Sequence, residues 1–90
     1  MNETGIKGII SDEGLSIHPS PFTTKTFIEF PNPENDEYSI YITDISGKRV
    51  RTISKITSEN YELKREGLKQ GIYLIEIIGE KIFRGRIIIK

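Results

Sequence analysis

Residues Gly67 to Ile78, read Gly-Leu-Lys-Gln-Gly-Ile-Tyr-Leu-Ile-Glu-Ile-Ile, constrain the fold more tightly than any other stretch. Gly67 and Gly71 bracket a turn, and a strand starts directly after it. Strand side chains alternate between two faces, so Tyr73, Ile75 and Ile77 form one inward row headed by an aromatic. The Tyr73 ring fills core, and its hydroxyl then needs a buried partner such as a nearby carbonyl. Leu68 is expected to plug the end of the core beneath the turn.

A tyrosine at the head of a strand just past a turn resembles the corner tyrosine of immunoglobulin-like sandwiches. The remaining segments repeat the strand grammar. Leu15–His18 is a first strand, and Pro19-Ser20-Pro21-Phe22 ends it. The two prolines remove two backbone donors and are expected to hold the chain extended at a sheet edge or a crossing between sheets, with Phe22 as its anchor. Lys25–Phe30 places Ile28 and Phe30 inward, and Pro31–Asp36 is a polar turn. In Tyr38–Asp44 the inward residues are Tyr38, Ile40 and Ile42. Asp44-Ile45-Ser46-Gly47 closes a hairpin, with Asp44 accepting amide bonds and Gly47 free to take positive φ. The return strand, Lys48–Ser54, breaks its alternation between Val50 and Ile53, which indicates a bulge. Lys55–Glu59 reads as a loop, and Tyr61–Lys64 as a short strand. Gly79-Glu80-Lys81 turns into Ile82–Lys90, with Phe83, Gly85, Ile87 and Ile89 inward and Arg84, Arg86 and Lys90 opposite. Those charges discourage edge-to-edge pairing.

The expected fold class is therefore all-β, an immunoglobulin-like β-sandwich of about seven antiparallel strands. Helical periodicity fails throughout. The 90 residues make one domain, which buries only about 60–65% of its unfolded surface. The 13 basic and 13 acidic residues cancel, which argues against a general nucleic-acid binder. Without cysteine there are no disulfides and no thiolate metal sites. No segment approaches the ~20 apolar residues of a membrane span, so direct membrane insertion is not expected. Residues 1–14 read as a linker punctuated by Gly5, Gly8 and Gly14. In it Ile6, Ile9 and Ile10 could add an edge strand, and Asn2-Glu3-Thr4 has the form of a glycosylation triplet.

Catalytic, cofactor and metal sites are all expected to be absent. His18 is the single histidine and has no carboxylates at ligand spacing. His18 and Ser20 lack a third group to orient a base. Glu29, Glu62, Glu66 and Glu76 read as solvent-facing charges. In Lys48-Arg49-Val50-Arg51 the alternation puts Lys48 with Val50 and Arg49 with Arg51, which is a solvated face and no continuous basic stripe.

Taken together the motifs resemble a known family, the type A C-terminal sorting domain of the type IX secretion system of Bacteroidota. Its pattern has a short apolar strand followed by Pro-Asn-Pro-Phe; here stand Leu15-Ser16-Ile17-His18 and Pro19-Ser20-Pro21-Phe22. A strand closing in Asp-x-x-Gly-Lys/Arg-x-Val is matched by Asp44, Gly47, Lys48 and Val50. Leu-x-x-Gly-x-Tyr is matched by Leu68, Gly71 and Tyr73. A basic and apolar last strand is matched by Arg84-Gly85-Arg86-Ile87-Ile88-Ile89-Lys90. Ser20 stands where the family has Asn, and His18 where it has Tyr.

The resemblance implies a non-enzymatic secretion signal spanning residues 15–90, with residues 1–14 linking it to an absent N-terminal cargo. The implied partners are the outer-membrane type IX translocon, its shuttle protein and a sortase that cuts within Thr4–Gly14. The implied location is the periplasm in transit, then the cell surface or medium. The recognition residues it implies are Pro19, Pro21, Asp44, Gly47, Lys48, Leu68, Gly71, Tyr73, Arg86 and Lys90. Such a domain must end its parent chain. An immunoglobulin- or fibronectin-like adhesion or spacer module, which can sit anywhere, is the second reading. A carbohydrate-binding module stacking sugars on Tyr41 and Phe27 is the third.

Overall fold

The computed structural model describes residues 14–90. The expected edge strand at Ile6–Ile10, the glycosylation triplet and all of the linker but Gly14 lie outside them. Among the described residues there are seven strands and no helix: β1 Ser16–His18, β2 Lys25–Glu29, β3 Tyr38–Asp44, β4 Arg49–Ile56, β5 Asn60–Lys64, β6 Gly71–Ile78 and β7 Ile82–Ile89. They form two antiparallel sheets, ordered β1-β2-β5 and β4-β3-β6-β7. In the constant-type immunoglobulin arrangement the fourth strand joins the sheet of the first, second and fifth. Here β4 stays hydrogen-bonded to β3, because a tight turn joins them.

The inward rows fall where alternation puts them. Ile28, Ile40, Ile42, Ile75, Ile77 and Ile87 are fully buried, and Phe22, Phe30, Leu63, Phe83 and Ile89 nearly so. Phe30, Tyr38 and Phe83 pack edge-on and tilted, with ring centroids 5.0 to 6.2 Å apart. Gly85 lets β1 close onto β7: a Cβ there would stand 3.0 Å from Leu15 and 3.3 Å from Ile17.

Four expectations need correction. The proline segment does cross between sheets, yet it is bent, with cis bonds at His18–Pro19 and Ser20–Pro21. Second, β4 runs on through Lys55 and Ile56, the start of the expected loop. The β3–β4 register shifts twice, once near Val50 and once where Tyr38 and Ile40 oppose Ile56 and Ile53. Lys55 sits at the second shift with φ +60°, and Ile56 is buried. Third, the shift at Val50 separates Arg49 from Arg51. Arg49 pairs with Thr43 on the outer face, while Arg51 lies opposite inward Ile42. Fourth, the polar turn at Pro31–Asp36 holds a buried residue. Asn32 donates from Nδ2 to the Asp36 and Thr57 carbonyls and accepts the Asp36 amide.

Candidate recognition surface at one end of the sandwich

Strand directions bring the sequence motifs to one end. β3 arrives there at Asp44, and β4 leaves from Arg49. β6 starts there at Gly71, opposite Ile89, and Tyr73 stands opposite Asp44. The crossing that carries Pro19 and Pro21 delivers Phe22 to the same place. Arg86, opposite Leu74, lies three residues short of Ile89 on the outer face. The chain enters at the other end, where Gly14 touches Pro31.

The β3–β4 turn is a three-residue loop. Gly47 donates to the Asp44 carbonyl at 3.0 Å, and the Asp44 amide donates to Lys48 at 2.9 Å. Gly47 has φ +93°, the left-handed region that this turn requires at its last position. The Asp44 carboxylate locks the loop. Its Oδ1 accepts the Ser46 hydroxyl at 2.7 Å and the Ser46 and Lys48 amides at 2.9 and 3.0 Å. The Ser46 hydroxyl bond first, then the Lys48 amide, holds the Asp44 carboxyl below its ordinary pKa. Ile45, at the loop tip, is 86% exposed.

Tyr73 does what its position required. Its ring is buried and its hydroxyl donates to the Lys69 carbonyl at 2.6 Å. That bond ties the strand to its own incoming turn, the corner geometry of these sandwiches. Leu68 is buried beneath the turn, and the Leu68 amide donates to Arg65 at 3.1 Å. Phe22 is sealed to β7: its amide donates to the Ile88 carbonyl at 3.0 Å, and the Lys90 amide donates back at 2.9 Å. The end of β7 is therefore not a bare edge. Thr26, fully buried, donates its hydroxyl to the Pro19 carbonyl at 2.8 Å and pins the bent crossing.

Arg65, which the sequence reading left out, and Arg51, which it placed on a solvated face, hold this end together. Arg65 Nε donates to Leu68 at 2.8 Å, and its Nη1 reaches the main-chain oxygens of Lys90 at 3.0 Å and Thr23 at 3.2 Å. Arg51 reaches across to the other sheet, to the carbonyls of Lys64, Arg65 and Glu66. No residue pattern could flag them, because their acceptors are main-chain atoms as far as 42 residues away in sequence.

His18 and Ser20 are both exposed, and among the described residues no group of three or more His, Cys, Asp or Glu side chains could hold a metal. Tyr41 and Phe27 do not form a sugar platform. They lie on different sheets, and the Arg49 guanidinium covers the Tyr41 ring at 4.1 Å. What the end offers is a rigid, largely cationic surface on a tightly bonded frame, and no helix among the described residues is long and apolar enough to cross a membrane.

Comparison with known proteins gives two matches. A family model for the secretion system C-terminal sorting domain matches residues 16–90. Beta-agarase A of Zobellia galactanivorans is 34% identical over 64 residues, which make up 71% of this chain and 12% of that protein. The chain thus spans a small fraction of the length of this curated relative.

Proposed function

The chain belongs to the secretion system C-terminal sorting domains, and from that membership we propose how the type IX machinery reads it. The domain is a non-enzymatic sorting signal for cargo that the type IX system carries across the outer membrane to the cell surface or beyond. In the proposed course the cargo passes through the periplasm. The sandwich end that gathers Asp44, Gly47, Lys48, Leu68, Gly71, Tyr73 and Lys90, with Arg86, Pro19 and Pro21 beside it, meets the outer-membrane translocon and its shuttle protein. A sortase then cuts between Thr4 and Gly14, so that residues 1–14 serve as linker and 15–90 as the removable label.

One observation carries this reading. The motif residues, scattered over more than 70 positions of sequence, converge on one end of the fold, and the chain enters at the other. The described chain thus begins away from the motif end, which favours a receptor meeting that end while a cargo is attached upstream.

The test is a passenger carrying an inner-membrane export signal and residues 1–90, expressed in a Bacteroidota host with an intact type IX system. The passenger is expected outside the outer membrane with the domain and in the periplasm without it. N-terminal sequencing of the released domain locates the cut. Equal amounts outside with and without the domain would sink the reading.

A further inference from the structure

The zero net charge of the chain conceals a segregation. Lys48, Arg49, Lys69, Arg86 and Lys90 lie at or near the motif end, against Glu66 and against Asp44, which is bound up in its own turn. Glu34, Asp36, Glu37, Glu59 and Glu80 lie at the opposite end, against Lys55 and Lys81. The outer face of the β4-β3-β6-β7 sheet adds a second asymmetry. Ile72 is 47% exposed and Leu74 54%, and Ile88 stands beside Ile72 on β7. The one acid in these outward rows, Glu76, is taken by Arg84 at 2.9 Å. Arg86, opposite Leu74, and Arg49, stacked on Tyr41, have no such partner among the described residues. An aliphatic centre with a cationic rim has the anatomy of a docking surface, not of a solvated face.

Among the described residues, the edge next to this face is open over part of its length. Strand amides alternate in direction. Since Ile88 and Lys90 bond outward to Phe22, the N–H and C=O groups of Arg84 and Arg86 point outward too. No described strand pairs with them, because the neighbours of β7 are β6 and the single bridge at Phe22.

We propose that this face and edge form one site for an acidic, extended protein segment. One end of the segment adds to β7 at Arg84–Arg86, short of the carbonyl that Phe22 takes. Its continuation crosses the outer face, with aliphatic side chains over Ile72 and Leu74 and carboxylates against Arg86 and Arg49. The open main-chain groups select a protein over a lipid surface, because a bilayer offers no strand to pair with them. The proposal rests on the sorting reading and adds to it the chemistry of the partner in the machinery.

The passenger fusion tests it with matched variants. Arg49→Glu/Arg86→Glu and Ile72→Thr/Leu74→Ser are each expected to cut export at least ten-fold. Phe27→Ser/Lys64→Glu, one charge and one exposed apolar residue on the other sheet, is expected to leave it within two-fold. Each purified variant is checked by thermal melting, and one that melts more than about 5 °C low is replaced by the corresponding single substitution. Native-level export by both face variants, or an equal fall in the control, overturns the proposal while leaving the sorting function intact. A native fusion that never leaves the periplasm overturns the sorting reading itself. Two further results would overturn the acidic-segment proposal. One is co-sedimentation of the native protein with phosphatidylglycerol vesicles that Arg49→Glu/Arg86→Glu abolishes, which makes the occupant a lipid. The other is a dimer in sedimentation velocity that the same substitutions dissolve, which makes it a second copy.

Discussion

Replacing Arg65 with methionine keeps the apolar stem and removes the guanidinium, and with it three bonds to main-chain oxygens of Leu68, Lys90 and Thr23. The half-buried Nε bond to Leu68 contributes about 1 kcal/mol, and the two more exposed Nη1 bonds about 0.5 kcal/mol each, giving a loss of about 2 kcal/mol. A domain of this size gains or loses roughly 4–8 °C in Tm per kcal/mol, so Tm falls by about 8–16 °C. The Leu68 and Thr23 acceptors are neutral carbonyls and carry most of the loss, so most of the difference between the two proteins should persist from low to high salt. A surface ion pair would be screened away. The assay is thermal unfolding followed by far-ultraviolet circular dichroism at two salt concentrations, with Lys69→Met as a control for removing a cation from the same end. If Arg65→Met melts within 2 °C of the native protein, or if its deficit vanishes in salt, the guanidinium does not clasp this end and the reasoning fails.

Three further outcomes are expected. Tyr73→Phe leaves the ring in place but strips the Lys69 carbonyl of its partner, at a cost of about 1 kcal/mol or roughly 4–8 °C in Tm, whereas Tyr41→Phe on the outer face stays near the native value. Asp44→Ala lowers Tm at pH 7. Because the folded carboxyl titrates below its ordinary 3.8, its stabilisation is complete above that value and is lost as pH falls through the lower folded one. The gap between mutant and native Tm therefore closes toward pH 2, and a gap that persists there counts against the assignment. Gly79→Ala pushes a Cβ to 2.7 Å from the Tyr38 ring and 2.8 Å from the Glu37 carbonyl, which is main chain and cannot swing aside. It costs about 2 kcal/mol, more than Gly67→Ala, which meets open space and suffers only its positive φ, at about 1 kcal/mol. Comparing the two melts gives the order.

The inward rows were legible because each depends on one local rule, the two-residue period, and the strands other than β1 and β4 obey it over most of their length. Tyr73 was legible down to its carbonyl partner, since a buried hydroxyl at a strand head has few acceptors within reach. The β4 strand was read short because the period fails at Val50 and again at Lys55, and a bulge looks from sequence like the end of a strand. Asn32 was read as surface because an asparagine between two prolines has the composition of a turn. Its burial depends on Asp36, Thr57 and Glu59 closing around it, which no local pattern encodes. The sealing of β7 by Phe22 and the reach of Arg51 and Arg65 are likewise tertiary facts. They join segments whose separation in sequence carries no spacing signal.

These differences divide the recognition residues into two kinds. Leu68 and Tyr73 are buried, Asp44 and Gly47 shape a turn, and Gly71 opens a strand against Ile89. Substituting any of them perturbs the frame before it perturbs a contact, so loss of export in such variants says nothing about what a receptor touches. Lys48, Arg86 and Lys90 expose their side chains and are not needed to close the core. They are the members of the set that a partner can read directly. The sequence signature of this domain is thus mostly the signature of a fold that holds one end rigid. On the proposed reading, the information passed to a receptor is concentrated in the few cations and aliphatic side chains standing on that end.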